Sequence, residues 1–278
     1  MEELSWISRP SLRDPVALYA FSGWNDAAEA ATGALWNILS LNDSLDVAVI
    51  DHDGFNDHQV SRPLISYEGD ERIITWPETR VYAIETLQDR DVVIILGEEP
   101  RLRWKAFARI LQHVVSELGV VEAVALGAFI GQVPHTLPVP VVGVTANVER
   151  RLALGLLPPT YEGPTGMTGI LTEQLHRAGV NVTSLWAATP HYLSENSNPK
   201  AAQTLLVKAE ALLGLDLDSS GLDREVKRWE RRVDSAVQNS EEMSEYLAEL
   251  EDSADLYSPP PDTGGQLVDE IERFLRDN

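Results

Sequence analysis

Phe21-Ser22-Gly23-Trp24-Asn25-Asp26-Ala27-Ala28-Glu29-Ala30-Ala31-Thr32-Gly33 carries the chain out of an apolar run, through a polar turn and into a segment of small residues. The run before it, Val16-Ala17-Leu18-Tyr19-Ala20-Phe21, is bounded by Pro15 and Gly23 and has the length and composition of a buried strand. Asp26 offers a carboxylate to the free N–H groups of the turn that follows, and Glu29 stands three residues later. That spacing predicts a capping-box start and a helix from about residue 27. Ala30, Ala31 and Ala34 are small enough to let the helix lie close to a sheet, with Leu35, Ile38 and Leu39 filling the gaps. The unit is a strand-turn-helix of the α/β type.

A strand-to-helix junction of this kind often binds phosphate, because the helix N-terminus presents unpaired donors and a partial positive charge. Here the turn holds two carboxylates and neither Lys nor Arg, and Asp26 would occupy the donors an anion needs. Its glycine spacing matches neither the dinucleotide nor the P-loop signature. The residues therefore read as a structural cap.

Further apolar runs at 47–50, 92–96, 121–126, 139–144 and 182–186 read as core strands of one sheet. Helical spacing links Trp104, Phe107, Leu111, Val114, Val115 and Leu118, closed by Gly119. A second helix is expected from Ile170 to Ala178. A third starts with Asn198 as cap and Pro199 in its first turn. Residues 64–87 break the alternation: Ile73-Ile74-Thr75-Trp76 and Val81-Tyr82-Ala83-Ile84 are strand-like pieces joined by turns, so the sheet should be mixed.

The 278 residues carry a formal charge of −22. Nucleic acid and anionic membranes are thereby disfavoured as partners, since both call for a basic face. The chain has no Cys, which removes disulfides, thiolate metal sites and cysteine nucleophiles together. Its first residues lack the basic and apolar regions of a signal peptide, and no run reaches membrane-spanning length, so a cytoplasmic protein is expected. Composition then divides the chain: residues 216–278 hold 18 acids and 7 bases, half of the net charge. Leu222, Val226, Trp229, Val233, Ala236, Met243, Leu247 and Leu250 form an apolar seam there at spacings of three and four. Asn239 with Glu242 offers a restart, which predicts two helices, and a last short helix is expected at 267–275 beyond Pro259-Pro260-Pro261. Two domains follow, an α/β body at 1–215 and an acidic helical part at 216–278. The seam either packs back on the body, as apolar stripes usually do, or offers a contact surface.

Asp51-His52-Asp53 with Asp57-His58 is the densest set of metal-ligand types, but its spacing fits no established site and it reads as a solvated loop, with no metal or cofactor expected. Pro134-His135 and Pro190-His191 each follow a core strand. In open α/β sheets ligands gather beyond the carboxyl ends of strands, where the turn at Gly23 also lies. His135 and His191 could converge there with Asp26 and Glu29, an imidazole among carboxylates being the makings of a general base. Gly163-Pro164-Thr165-Gly166-Met167-Thr168-Gly169 lacks the lysine of a nucleotide loop, though Thr165 and Thr168 could donate hydrogen bonds to a small polar ligand. The candidate ligand surface is thus Gly23, Trp24, Asn25, Asp26, Glu29, His135, Thr165 and His191, with no catalytic residue assigned.

Taken in order, Gly23-Trp24-Asn25-Asp26-Ala27, Arg62-Pro63, Gly97-Glu98-Glu99-Pro100 with Arg103-Trp104, Leu126-Gly127, Val133-Pro134-His135-Thr136, Gly163-Pro164-Thr165-Gly166, Pro190-His191-Tyr192 and Asn198-Pro199-Lys200 resemble the proteasome assembly chaperone two (PAC2) family in its bacterial branch. The resemblance implies a three-layer α/β/α fold similar to that of nucleoside phosphorylases, with a mixed central sheet and a C-terminal helical subdomain. It also implies homo-oligomers, trimers among them, and protein partners. Some relatives end in a hydrophobic-Tyr-any tripeptide that docks into the proteasome; this sequence closes with Arg276-Asp277-Asn278 instead. Two functions follow as expectations. One is a non-catalytic binding or assembly protein; the other is a phosphorylase-like or hydrolase-like enzyme acting on a small polar metabolite, with His135 or His191 as acid/base.

Overall fold

The computed structural model describes residues 3–86, 88–156, 161–194 and 196–256. The expected last helix at 267–275 lies outside the described residues. Ten strands are β1 (Leu4–Trp6), β2 (Val16–Ser22), β3 (Leu45–Asp51), β4 (Leu64–Glu68), β5 (Glu71–Thr75), β6 (Glu78–Ile84), β7 (Val92–Glu98), β8 (Glu122–Gly131), β9 (Val141–Val144) and β10 (Asn181–Pro190). Seven α-helices are α1 (Ala30–Leu41), α2 (Trp104–Glu117), α3 (Val148–Ala153), α4 (Met167–Arg177), α5 (Pro199–Leu213), α6 (Asp223–Gln238) and α7 (Glu241–Leu256).

Eight strands form one sheet in the order β1-β3-β6-β7-β2-β8-β10-β9. The four central strands, β7, β2, β8 and β10, run parallel, and the flanking strands pair antiparallel, so the sheet is mixed. Alternate side chains of β2 feed two cores. Val16, Leu18 and Ala20 pack under α1 and α5 on one face; Ala17, Tyr19 and Phe21 pack under α2 and α4 on the other. This is a three-layer α/β/α arrangement with the carboxyl ends of all four parallel strands along one edge.

Several local readings carry over directly. The Asn198 side chain caps α5 by accepting the Ala201 N–H at 3.0 Å, with Pro199 in the first turn, and Gly119 closes α2 with φ +71°. Three details differ from expectation. The helix after β2 begins at Ala30 rather than at 27, because Ala28 and Glu29 adopt left-handed φ of 53° and 52°. Those residues are held by distant backbone: the Asn25 carbonyl accepts the Ala128 N–H at 2.8 Å and the Ala28 carbonyl accepts that of Asn198 at 2.9 Å. Residues 73–75 do not join the main sheet; β4 and β5 form a separate two-stranded hairpin. The restart between α6 and α7 is made by Ser240, whose hydroxyl accepts the Met243 N–H at 3.3 Å, while the Asn239 amide turns back to the Ser235 carbonyl.

The apolar seam of residues 222–250 packs back on the body. Leu222 and Val226 continue the core under α1 and α5, and Trp229, Val233 and Val237 form a satellite cluster with Leu193, Met243 and Leu247.

Candidate functional site

The carboxyl-end edge of the sheet holds two distinct groups of the expected residues. The first surrounds the end of β2. Gly23, at φ +127°, takes a backbone conformation that a side chain would strain, and its carbonyl accepts the Asp26 N–H at 3.1 Å. Asp26 is buried and accepts the N–H groups of Ala31 at 2.7 Å and Thr32 at 3.1 Å, together with the Thr32 hydroxyl. It caps the displaced helix start five and six residues on. Burial raises its pKa above the usual carboxylate value, opposed by those hydrogen bonds. Glu29 has swung out to solvent and closes no reciprocal bond, so the predicted capping box is replaced by a one-sided Asp26 cap. The cause is the left-handed kink at Ala28 and Glu29.

Asn25 is buried against the glycine-rich turn. A Cβ placed on Gly166 would stand 1.9 Å from Asn25 Oδ1 and 2.6 Å from Glu99 Oε1, so any side chain there would push both of them aside. Glu99 joins the two turns: its backbone N–H donates to the Ser22 carbonyl at 2.9 Å, and its carboxylate accepts the Met167 N–H at 2.6 Å at the start of α4. That carboxylate sits where an anion would bind. Glu99 was not among the expected site residues; its signals in the sequence are its place at the end of a core strand before Pro100 and its part in the Gly97-Glu98-Glu99-Pro100 motif. Trp24 and Thr165 are exposed on the rim of this cluster.

The second group lies at the ends of β8 and β10. His135 is buried; its Nδ1 meets the Tyr192 hydroxyl at 2.8 Å and its Nε2 meets Asp234 Oδ1 of α6 at 3.1 Å. Its carbonyl accepts Lys200 Nζ at 2.7 Å, and Lys200 pairs with Glu230 of α6 at 3.0 Å. His191 Nε2 contacts the Tyr246 hydroxyl of α7 at 3.2 Å, and its ring lies edge-on to Tyr192 and Tyr246. Thr136 bonds Glu251. Burial pushes the Tyr192 phenol up to about 12, so it stays protonated and available to the His135 ring.

Both histidines therefore hold the helical tail on the body. Trp229 of α6 covers the same place, edge-on to His135 with ring centroids 6.3 Å apart. The space left between Pro134, His135, Pro140, Pro190, Lys200 and Trp229 is a cavity of about 10 Å³, room for about one water. Among the described residues no hydrogen bond or ion pair joins Asp26 or Glu29 to either histidine; the two histidines share Tyr192 as a neighbour, apart from both acids.

The other histidine-acid cluster is turned inside out. His52 is fully buried between Phe55 and Phe107, bonded to Thr79 at 2.9 Å and to the Asn56 amide at 3.1 Å. Burial pushes its pKa down to about 4. Asp51, Asp53 and Asp57 face solvent, and His58 approaches Asp53 at 3.5 Å. Among the described residues no three imidazoles or carboxylates are grouped so as to hold a metal ion. No helix among them is long and apolar enough to cross a membrane.

A mixed sheet covered on both faces by helices, with a helical tail latched across the strand ends, defines a three-layer α/β protein whose strand-end loops serve tail docking. The PAC2 family profile matches residues 20–237, and the chain belongs to that family. A PAC2 family protein from Streptomyces avermitilis is 39% identical, with a TM-score of 0.77 over 84% of this chain and 99% of its own. A proteasome-assembly chaperone homologue of Mycobacterium tuberculosis, Rv2125, is 35% identical, with a TM-score of 0.76 over the same shares, 84% and 99%. At 17% identity, the archaeal proteasome activator PbaB of Pyrococcus furiosus shares the fold, with a TM-score of 0.69 over 85% and 99% of the two chains. No curated protein sequence matches the chain.

Proposed function

We propose that this chain is a non-catalytic, cytoplasmic assembly factor of the assembly-chaperone type, acting on protein partners and associating with copies of itself. Nucleic acid has no part in this reading. The chain is taken as an α/β/α body, residues 1–215, bearing an acidic helical subdomain, residues 216–278.

The observation that carries the reading is the β4–β5 hairpin. It stands apart from the main sheet with Leu64, Ile65, Tyr67, Ile74 and Trp76 between 47% and 70% exposed. An isolated two-stranded ribbon is marginal in water, and apolar side chains grouped on one exposed element mark a protein interface. The strand-end loops support the same reading from the other side, since the residues suited to acid/base work there are engaged with α6 and α7. The relatedness to a proteasome-assembly chaperone homologue agrees with it.

Ile65 and Ile74 are directly opposite one another in the hairpin. Replacing them as Ile65→Lys with Ile74→Glu keeps a favourable cross-strand pair while placing two charges in the middle of the apolar face. At about 500 mM salt, light scattering on the wild-type chain should give an oligomer and on this variant a monomer with an unchanged circular dichroism spectrum. A monomeric wild type, or an oligomer untouched by the change, would overturn the hairpin as the contact surface.

A further inference from the structure

Helix α6 sorts its charges around its axis. Val226, Trp229, Val233 and Val237 are buried; of the acids flanking that stripe, Asp223 bonds Gln203, Glu230 pairs with Lys200 and Asp234 with His135, while Glu225 is exposed at the edge. The opposite face carries Arg224, Lys227, Arg228, Arg231 and Arg232, all exposed, at spacings that set them on one side of the helix. Among the described residues none of these five side chains has an ion pair or a hydrogen bond. In a chain of net charge −22, that stripe is a local reversal of the molecule's field.

Helix α7 is its complement. It holds seven acids and no base. Met243 and Leu247 pack on the α6 cluster and Leu250 is buried, while Glu241, Glu242, Glu245, Glu249 and Asp252 are exposed on the opposite side. At 1.5 Å per residue the basic stripe is about 12 Å long and the acidic one about 16 Å. Each helix turns its apolar side to the body or to its neighbour, so each charged stripe faces outward. Among the described residues no ion pair joins α6 to α7 within one chain.

We propose that the α6–α7 pair is a self-complementary docking surface whose occupant is the α6–α7 pair of a second copy of this chain. The basic stripe of each copy lies along the acidic stripe of the other about a two-fold axis. An isologous contact of this kind needs both halves of the complement on one surface, and the tail supplies both. A phosphate backbone fits less well, because the acidic stripe beside the cations and the net charge of the chain repel it. The inference rests on the reading that the chain self-associates and adds a second surface to it. Exposed ion pairs are individually weak and screened by salt, so this contact is salt-labile, unlike one made by the apolar hairpin.

The test is sedimentation velocity on the full chain at about 50 mM and about 500 mM salt, where the Debye length shrinks to a few ångströms. The mass at low salt should be twice that at high salt. The double variant R228E/R231E and the double variant E245K/E249K should each lose the doubling while keeping the wild-type circular dichroism spectrum. Mixed together, the two should regain it, because the intact acidic stripe of the first variant then meets the intact basic stripe of the second, and the two altered stripes are charge-reversed to match one another. A mass independent of salt overturns the proposal, as does a mixture that fails to recover the doubling. So does a doubling that requires an added polyanion such as heparin. The hairpin variant separates the two readings: doubling that persists while the high-salt mass stays oligomeric counts against the hairpin alone, and doubling lost with the hairpin counts against the tail.

Discussion

Trp229→Ala isolates the contact that closes the strand ends. Trp229 is only 3% exposed and covers the pocket between the loops after β8 and β10. An indole buries roughly 150–250 Å², which at about 25 cal/mol per Å² corresponds to about 4–6 kcal/mol. Measured truncations of buried Trp cost about 3–5 kcal/mol, so about 4 kcal/mol is expected. The small cavity already present beside the ring argues against the neighbours collapsing to reduce that cost. The loss should fall on α6 and α7, whose remaining holds on the body are Val226 in the core under α1 and α5, Val233 and Val237 beside Leu193, and the polar links of His135 to Asp234, His191 to Tyr246 and Lys200 to Glu230. Native-state hydrogen exchange is the assay. At about 1.4 kcal/mol per factor of ten, amide protection in α6 and α7 should fall up to about a thousandfold, limited by the stability with which the tail docks, while β2 and β8 keep theirs. Unchanged protection in α6, or an equal loss across the central strands, would refute the assignment of Trp229 as a local latch.

Two further outcomes follow from the interior. His52 titrates near 4 in the folded chain because burial disfavours its charged form, against about 6.5 when unfolded. Between those values the unfolded state binds the extra proton, so stability should rise by roughly 3 kcal/mol from pH 4 to pH 6.5 and level off above it; urea unfolding of wild type and His52→Gln at both pH values checks this, and an identical pH dependence in the two proteins would contradict it. Gly166→Ala places a methyl against Asn25 and Glu99 and should cost about 1–3 kcal/mol by overpacking, read as a lowered thermal midpoint; an unchanged midpoint would mean that the two turns are not held together as described.

Much of the framework was legible because it is written in local patterns. The buried run of β2, the Asn198 cap, the closing Gly119 and the α6 seam each depend on residues within about one or two turns of one another, where propensity and periodicity act directly. The displaced helix start was not legible. Asp26 is a cap as expected, but its reach was set by Ala128 and Asn198 pulling on the backbone of residues 25–28, and nothing near Asp26 announces those partners. The same holds for Glu99, whose role exists only because α4 begins beside it.

The histidines mark the division most clearly. The sequence alone determined that His135 and His191 stand just past core strands, where α/β proteins commonly place ligands, and that an acidic tail with an apolar seam follows. Only the tertiary structure decided what those imidazoles touch. His135 and Asp234 are 99 residues apart, and their meeting depends on how the tail seam closes on the body. Strands and helices arise from short-range periodicity, whereas a side chain's chemical task is set by its neighbours in space. Here the neighbours are a tryptophan, two tyrosines and one tail carboxylate, and they make the strand ends a latch.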